Sequence, residues 1–331
     1  MKLKKCAALL LVSSCLLTGC TTSSAKKVDS KYVVASLEKG NKTKNIFADN
    51  LYKDIINNSS NNSTVFNAVL QNLVDQKFPV NDDMNEDAAT IIKQIKSAYK
   101  SNYGDNYKDS LNQALTSAGY KNLSEYRQRM IKQIQYANFL LDYIDDHFDD
   151  VFNDYYQQCA PKYVSLIKIS VSDTSSPTDD ETSKLNEVKE LISNTDKSFG
   201  DIAQDYSNDS TSSKKGSLGI VDSKDTSGIA NSYGKDVFNA IEALSEGQVS
   251  DVITGDDGYY FVKVTSTDKK TLKKELKKTD IDSPLLAYDD YLQYVVYNSY
   301  KINYKDKDIK KIVQEVVNKA LEERKTERGE A

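Results

Sequence analysis

The amino-acid sequence predicts an α+β fold in which a block of short strands and helices is inserted into a mostly helical lobe formed by the two flanks. Two observations carry this expectation. Apolar residues recur at spacings of three and four from about Ile46 to Phe152, and helix returns after Asp268. Between these flanks, starting at Pro161, β-branched runs, glycine turns and short helical stretches follow one another. A two-lobed solute-binding protein would need repeated βα units, which the helix-rich flanks do not supply. At 331 residues the chain is long enough for two domains.

The first segment is an address rather than a structural element. Lys2, Lys4 and Lys5 precede an apolar run from about Ala7 to Leu17. That run has the length of a signal-peptide core and is short of the roughly 20 apolar residues needed to span a bilayer. Leu17-Thr18-Gly19-Cys20 resembles a bacterial lipobox. The resemblance implies that residues 1–19 are removed and that Cys20 carries lipid, placing the chain on the extracytoplasmic face of the cell membrane. Loss of the leader removes three lysines and no acid, so the net charge moves from −5 to −8. Cys6 and Cys15 leave with it. Cys159 is then the one cysteine without lipid, and no intramolecular disulfide can form. Residues 20–45 read as the lipidated cysteine, a polar tether and the start of the lobe.

Residues 46–161 read as an N-terminal helical segment. The clearest helix spans about Leu123–Phe148, with Leu123, Tyr126, Met130, Ile134, Ala137, Leu141, Ile144 and Phe148 on one face. Two more cover Val65–Gln76 and Glu86–Tyr103, Asn57–Thr64 is a polar turn, and Gly119 closes a further helix. Residues 162–267 form the mixed block. Tyr163–Val171 is a strand, Asp180–Ser193 a helix, and Ser198 caps another. A helix near Lys235–Leu244 precedes strands Val249–Ile253 and Tyr259–Thr265, which flank a hairpin turn at Gly255-Asp-Asp-Gly258. Helices Leu285–Tyr300 and Ile309–Arg324 lie in the C-terminal segment 268–331, which packs with the N-terminal lobe.

Composition excludes several functions. A single histidine, His147, rules out a multi-imidazole zinc site and leaves it as the sole base for any histidine-dependent triad. It sits in Asp145-Asp146-His147, outside the mixed block, as a surface residue. With 44 Lys and Arg against 49 Asp and Glu, the chain is not a nucleic-acid binder by global charge. No metal or organic cofactor is implied.

Four segments of the mixed block resemble one family. Phe199-Gly-Asp-Ile-Ala-Gln-Asp-Tyr-Ser207 is similar to F-x-x-L-A-x-x-Y-S, and Gly216-Ser-Leu-Gly219 to G-D-L-G. Leu244-Ser-Glu-Gly-Gln-Val-Ser250 is similar to L-x-x-G-x-V-S, and Gly258-Tyr-Tyr-Phe-Val-Lys-Val264 to G-Y-H-I-I-K-V. In this order and spacing they resemble a parvulin-type peptidyl-prolyl isomerase domain. With the lipobox and helical flanks, the whole chain resembles the lipid-anchored extracytoplasmic foldases. The resemblance implies a parvulin-like four-stranded antiparallel sheet with surrounding helices, a groove for proline-containing peptide, and unfolded or partly folded secreted proteins as partners. Pairing into a homodimer is left open.

The family's two facing histidines fall on Leu166 and Tyr260, so neither imidazole is present. Its acidic or thiol position falls on Asp209, and the aspartate of G-D-L-G is replaced by Ser217. The resemblance implies an apolar proline pocket that draws on Val237 or Phe238. Leu166 is expected in the core, since an alkyl group donates no hydrogen bond. Tyr260 reads either as a strand residue with a wet tip or as a donor into the groove. Asp209 reads either as a solvated loop residue or as part of the site. Two functions follow: a prolyl isomerase with reduced chemistry, or a non-enzymatic holdase whose parvulin block has degenerated.

Overall fold

The computed structural model describes residues 27–39, 42–277 and 280–330. The leader and Cys20 lie outside the described residues. In chain order the elements are β1 (Lys27–Val28), β2 (Lys31–Lys39), β3 (Lys42–Phe47), α1 (Ala48–Ile56), α2 (Asn62–Lys77), α3 (Asp82–Tyr103), α4 (Tyr107–Ser117), α5 (Leu123–Asp146) and α6 (Phe148–Cys159). There follow β4 (Lys162–Ser170), α7 (Asp179–Asn194), α8 (Phe199–Tyr206), β5 (Ser217–Val221), α9 (Ile229–Tyr233), α10 (Lys235–Ala243), β6 (Ile253–Gly255), β7 (Gly258–Ser266), α11 (Lys269–Leu276), α12 (Leu292–Ser299) and α13 (Lys307–Glu327).

The chain divides into two compact units. One gathers residues 27–81 and 290–330, and the other is Asp82–Asp289. In the first, β1, β2 and β3 form an antiparallel sheet in that order. The start of the lobe within residues 20–45 is strand from Lys27, where Tyr32, Val33 and Val34 supply aromatic and β-branched residues. α2 packs on α13, and Phe66, fully buried, stacks on Tyr294 at 5.0 Å. Tyr52 donates to the Asp306 carboxylate at 2.5 Å, tying α1 to the N-terminus of α13.

The second unit is built on a four-stranded antiparallel sheet in the order β5-β4-β7-β6. Central β4 and β7 carry near-continuous apolar runs because both of their faces are covered. One face packs Ile167, Ile169 and Phe261 against Leu185 and Val188 of α7 and Phe199, Ile202 and Ala203 of α8. The other packs Val164, Leu166, Tyr260 and Val262 against Ile229 of α9 and Val237 and Ile241 of α10. Lys162 fixes α10 over that face: its ammonium donates to the carbonyls of Ile241, Glu242 and Leu244 at 3.0, 2.7 and 3.1 Å, a cation at a helix C-terminus.

Several local expectations are corrected. The strand foreseen over Val249–Ile253 begins only at Ile253; before it Val249 makes a single bridge to Lys263. Val249 and Val252 pack on the same α7–α8 core, and between them the Ser250 amide donates to the Val262 carbonyl at 2.9 Å while the Ser250 hydroxyl, in place of a backbone carbonyl, accepts from the Val262 amide at 3.0 Å. The long helix 123–148 stops at Asp146, where exposed His147 stacks on Tyr143 and α6 begins. Leu285–Tyr300 is not one helix: Pro284 opens a short 3₁₀ turn, Tyr288 buries its ring with its hydroxyl on Asp154, and α12 starts at Leu292. The polar turn near Asn57 is a 3₁₀ turn at Ser59–Asn61, and α2 already begins at Asn62.

Candidate functional site

The site is assembled on the sheet face that carries the two substituted family positions. In the β4–β7 ladder Leu166 stands opposite Val262 and Lys168 opposite Tyr260. Side chains alternate along a strand, so Leu166, Lys168, Tyr260 and Val262 share one face. Leu166 and Tyr260 are thus neighbours across adjacent strands, as the resemblance requires. Leu166 is fully buried, and its amide donates to the Gly216 carbonyl at 2.8 Å. Gly216 sits at φ +76°, and a Cβ there would come within 2.5 Å of the Leu166 carbonyl oxygen. The glycine of the second motif is therefore required by close backbone approach.

Tyr260 is almost completely buried, yet its hydroxyl donates to the Asp257 carboxylate. Burial first, and that hydrogen bond second, hold its proton on well above the ordinary phenol range. The Lys168 ammonium pairs with the same carboxylate and lies 5.5 Å from the centre of the Tyr260 ring. On the other side Tyr233, at the end of α9, meets Tyr260 edge-on with ring centres 6.2 Å apart. The Tyr233 hydroxyl reaches Asp209 Oδ1 at 3.4 Å, and burial, then the Asp209 charge, push its ionisation upward. Asp209 itself is buried and caps a 3₁₀ turn by accepting from the Thr211 amide at 2.8 Å. A buried phenol and a half-buried one, each on a carboxylate, therefore meet over one sheet face.

Around this polar strip lie half-buried apolar side chains: Leu218, Phe238, Leu244 and Ile253. Phe238 is thereby available at the rim, whereas Val237 is core. Ser217 is placed elsewhere. An irregularity in the β4–β5 register sets it opposite Ser165, on the α7–α8 side, where its hydroxyl donates to the Tyr163 oxygen at 2.9 Å. Of the residues singled out from sequence, Leu166, Tyr260, Asp209 and Phe238 come together over this face, Val237 lies beneath it, and Ser217 is turned away.

Three members of the cluster were missed. Lys168 was within reach, since it lies two residues beyond Leu166 on the same strand face. Asp257 sits in the hairpin turn already recognised, three residues before Tyr260. Tyr233 had no local signal, because its position depends on a short helix closed at Gly234, φ +99°.

Residues 166–266 match the PPIC-type PPIase domain, a rotamase family. Over 141 residues the chain is 32% identical to the foldase protein PrsA of Staphylococcus aureus and to that of Staphylococcus epidermidis. That stretch is 40% of this chain and 41% of each relative, so the chain matches about two fifths of the length of those proteins. Among solved structures, PrsA from Bacillus subtilis is 21% identical, with a TM-score of 0.39, over 85% of this chain and 98% of that one. Foldase protein PrsA from Streptococcus pneumoniae is 20% identical, with a TM-score of 0.40, over 85% and 99%. Over the matched 141 residues the chain is similar to PrsA foldases, and residues 166–266 carry the PPIC-type PPIase domain.

Proposed function

We propose that this PPIC-type PPIase domain serves a foldase of the extracytoplasmic membrane face, anchored through lipid on Cys20, that assists secreted proteins by rotating X–Pro bonds. Functionally the chain then divides as leader 1–19, lipidated cysteine with tether and start of the lobe 20–45, helical segments 46–161 and 268–331, and isomerase block 162–267. Among the described residues no helix is long and apolar enough to cross a membrane, so anchorage in this reading rests on the lipobox.

The observation that carries the isomerase reading is the paired phenol–carboxylate strip, Tyr260–Asp257 and Tyr233–Asp209, beside the half-buried ring of Phe238. Amide resonance sets the rotation barrier of about 18–20 kcal/mol. A planar amide carries negative charge on its carbonyl oxygen, and rotation withdraws that charge. Carboxylates near the carbonyl disfavour the planar state more than the twisted one, and an apolar wall removes competing water. No bond breaks and no cofactor enters. The test is a proline-limited refolding assay on the chain from Thr21 onward. Acceleration at micromolar protein, reduced in Asp209→Ala and Tyr260→Phe, is expected. No acceleration by a folded chain sinks the reading.

A holdase reading has its own support. Leu166 offers no donor at a family histidine position, and the first unit holds an apolar groove of about 510 Å³ lined by Tyr52, Ile55, Val65, Val69, Leu73 and Ile302. If unfolded chains bind there, Val69→Glu abolishes suppression of client aggregation while leaving the refolding rate untouched.

A further inference from the structure

The hairpin of β2 and β3 has two unlike faces. Cross-strand pairing sets Ala35 opposite Ile46 and Leu37 opposite Lys44, and these residues share one side with Lys42, two positions before Lys44 on the same strand. The other side carries Ser36 with Asn45, joined by a hydrogen bond of 2.8 Å, and Glu38 with Thr43. The first side thus combines lysines with apolar groups and contains no acid. Leu37 is 66% exposed and Ile46 45% exposed, so its apolar centre is open to solvent.

Charge sets this hairpin apart from the rest of the chain. Residues 27–47 hold five lysines against Asp29 and Glu38, while the whole sequence is at −5. We infer that this face docks on an anionic lipid surface, with Leu37 and Ile46 entering the headgroup boundary and Lys42 and Lys44 meeting lipid phosphates. The occupant follows from complementarity. Lysines flanking exposed aliphatic groups suit a partner that is at once negative and apolar beneath its surface. A second copy of the same face would set lysine against lysine. An extended peptide would pair along a strand edge and leave this face uncovered. A soluble polyanion would gain nothing from Leu37. The inference stands apart from the isomerase reading, and also from lipid on Cys20.

The chain from Thr21 onward keeps every described residue and lacks both the leader and Cys20, so it isolates the hairpin. It is spun down with phosphatidylcholine vesicles, with and without about one part in three of phosphatidylglycerol. Binding is expected only to the anionic vesicles and weakens as salt rises. Lys42→Ala with Lys44→Ala lowers partitioning about 30-fold, and Leu37→Ser lowers it about tenfold. Unchanged thermal unfolding of each variant shows that the fold is kept. Equal binding to neutral vesicles, no binding to anionic ones at low salt, or a Leu37→Ser chain that partitions like the parent overturns the inference. So does concentration-dependent dimerisation that Leu37→Ser abolishes.

Discussion

The two faces of the four-stranded sheet are made by the same strands and differ in what covers them. On the α7–α8 side Ile167, Ile169 and Phe261 pack against Leu185, Val188, Phe199, Ile202 and Ala203, and packing there is a stability device. On the α9–α10 side the same strands present Leu166, Lys168 and Tyr260, and the covering helices are short enough to leave Tyr233 and Phe238 half-exposed. The strand side chains are nearly as deeply buried on both, but the second face also sets buried Tyr260 on the exposed Asp257 and half-buried Tyr233 beside buried Asp209. The difference teaches that the site is not a gap in the core. It is a place where the core accepts polar groups because each has a partner.

The comparison can be broken by substitution. Phe261→Ala, on the sealed side, is expected to cost about 3–5 kcal/mol in denaturant unfolding. A loss below about 1 kcal/mol would show that the sealed side is not close-packed. Gly216→Ala follows, at about 3 kcal/mol, because it combines a left-handed backbone with a Cβ against the Leu166 carbonyl. Urea titration reads it, and an unaffected midpoint contradicts the close approach. Tyr260→Phe, on the polar side, should slow catalysed prolyl refolding about 3–10-fold, the worth of one hydrogen bond, while leaving its ring packing in place. If it instead lowers stability as Phe261→Ala does and leaves the rate alone, the two faces do the same job.

The smallest effect concerns a helix end on the sealed side. Thr178 and Glu181 form a reciprocal cap at the start of α7, and amide donors from Thr178 and then Ser172 bring the Glu181 carboxyl down to about 2. A folded-state value below the unfolded one means stability that is complete above about pH 4.5 and lost as pH falls toward 2. Glu181→Gln should therefore flatten the acid limb of the stability profile in that window by lowering the neutral plateau, because the amide keeps one acceptor oxygen where the carboxylate uses two. An identical acid limb in both chains would remove the cap from the account.

Strand β4, the helices α7, α8 and α10, and the hairpin turn before β7 were legible because each is coded by neighbours in sequence: a β-branched run, a capping pair, an apolar stripe, a glycine pair. The Tyr260–Asp257 pair was half legible for the same reason, since both lie on one hairpin. Asp209 was named from the family pattern, yet its meeting with Tyr233 depends on how α9 lies over the sheet. Ser217 illustrates the opposite failure. A one-residue irregularity in the β4–β5 register sends its hydroxyl to the other face, and register is a property of the paired strands.

By itself the sequence determined the class of the fold, the main strands and helices of the mixed block and the loss of both imidazoles, because periodicity, turn residues and residue identity are local facts. Only the tertiary structure decided which side chains meet over one sheet face, that Tyr52 closes onto Asp306, and that the segment after the leader is a two-faced hairpin. Those outcomes depend on strand register and helix placement, which are settled by contacts between residues far apart in the chain and have no local signature.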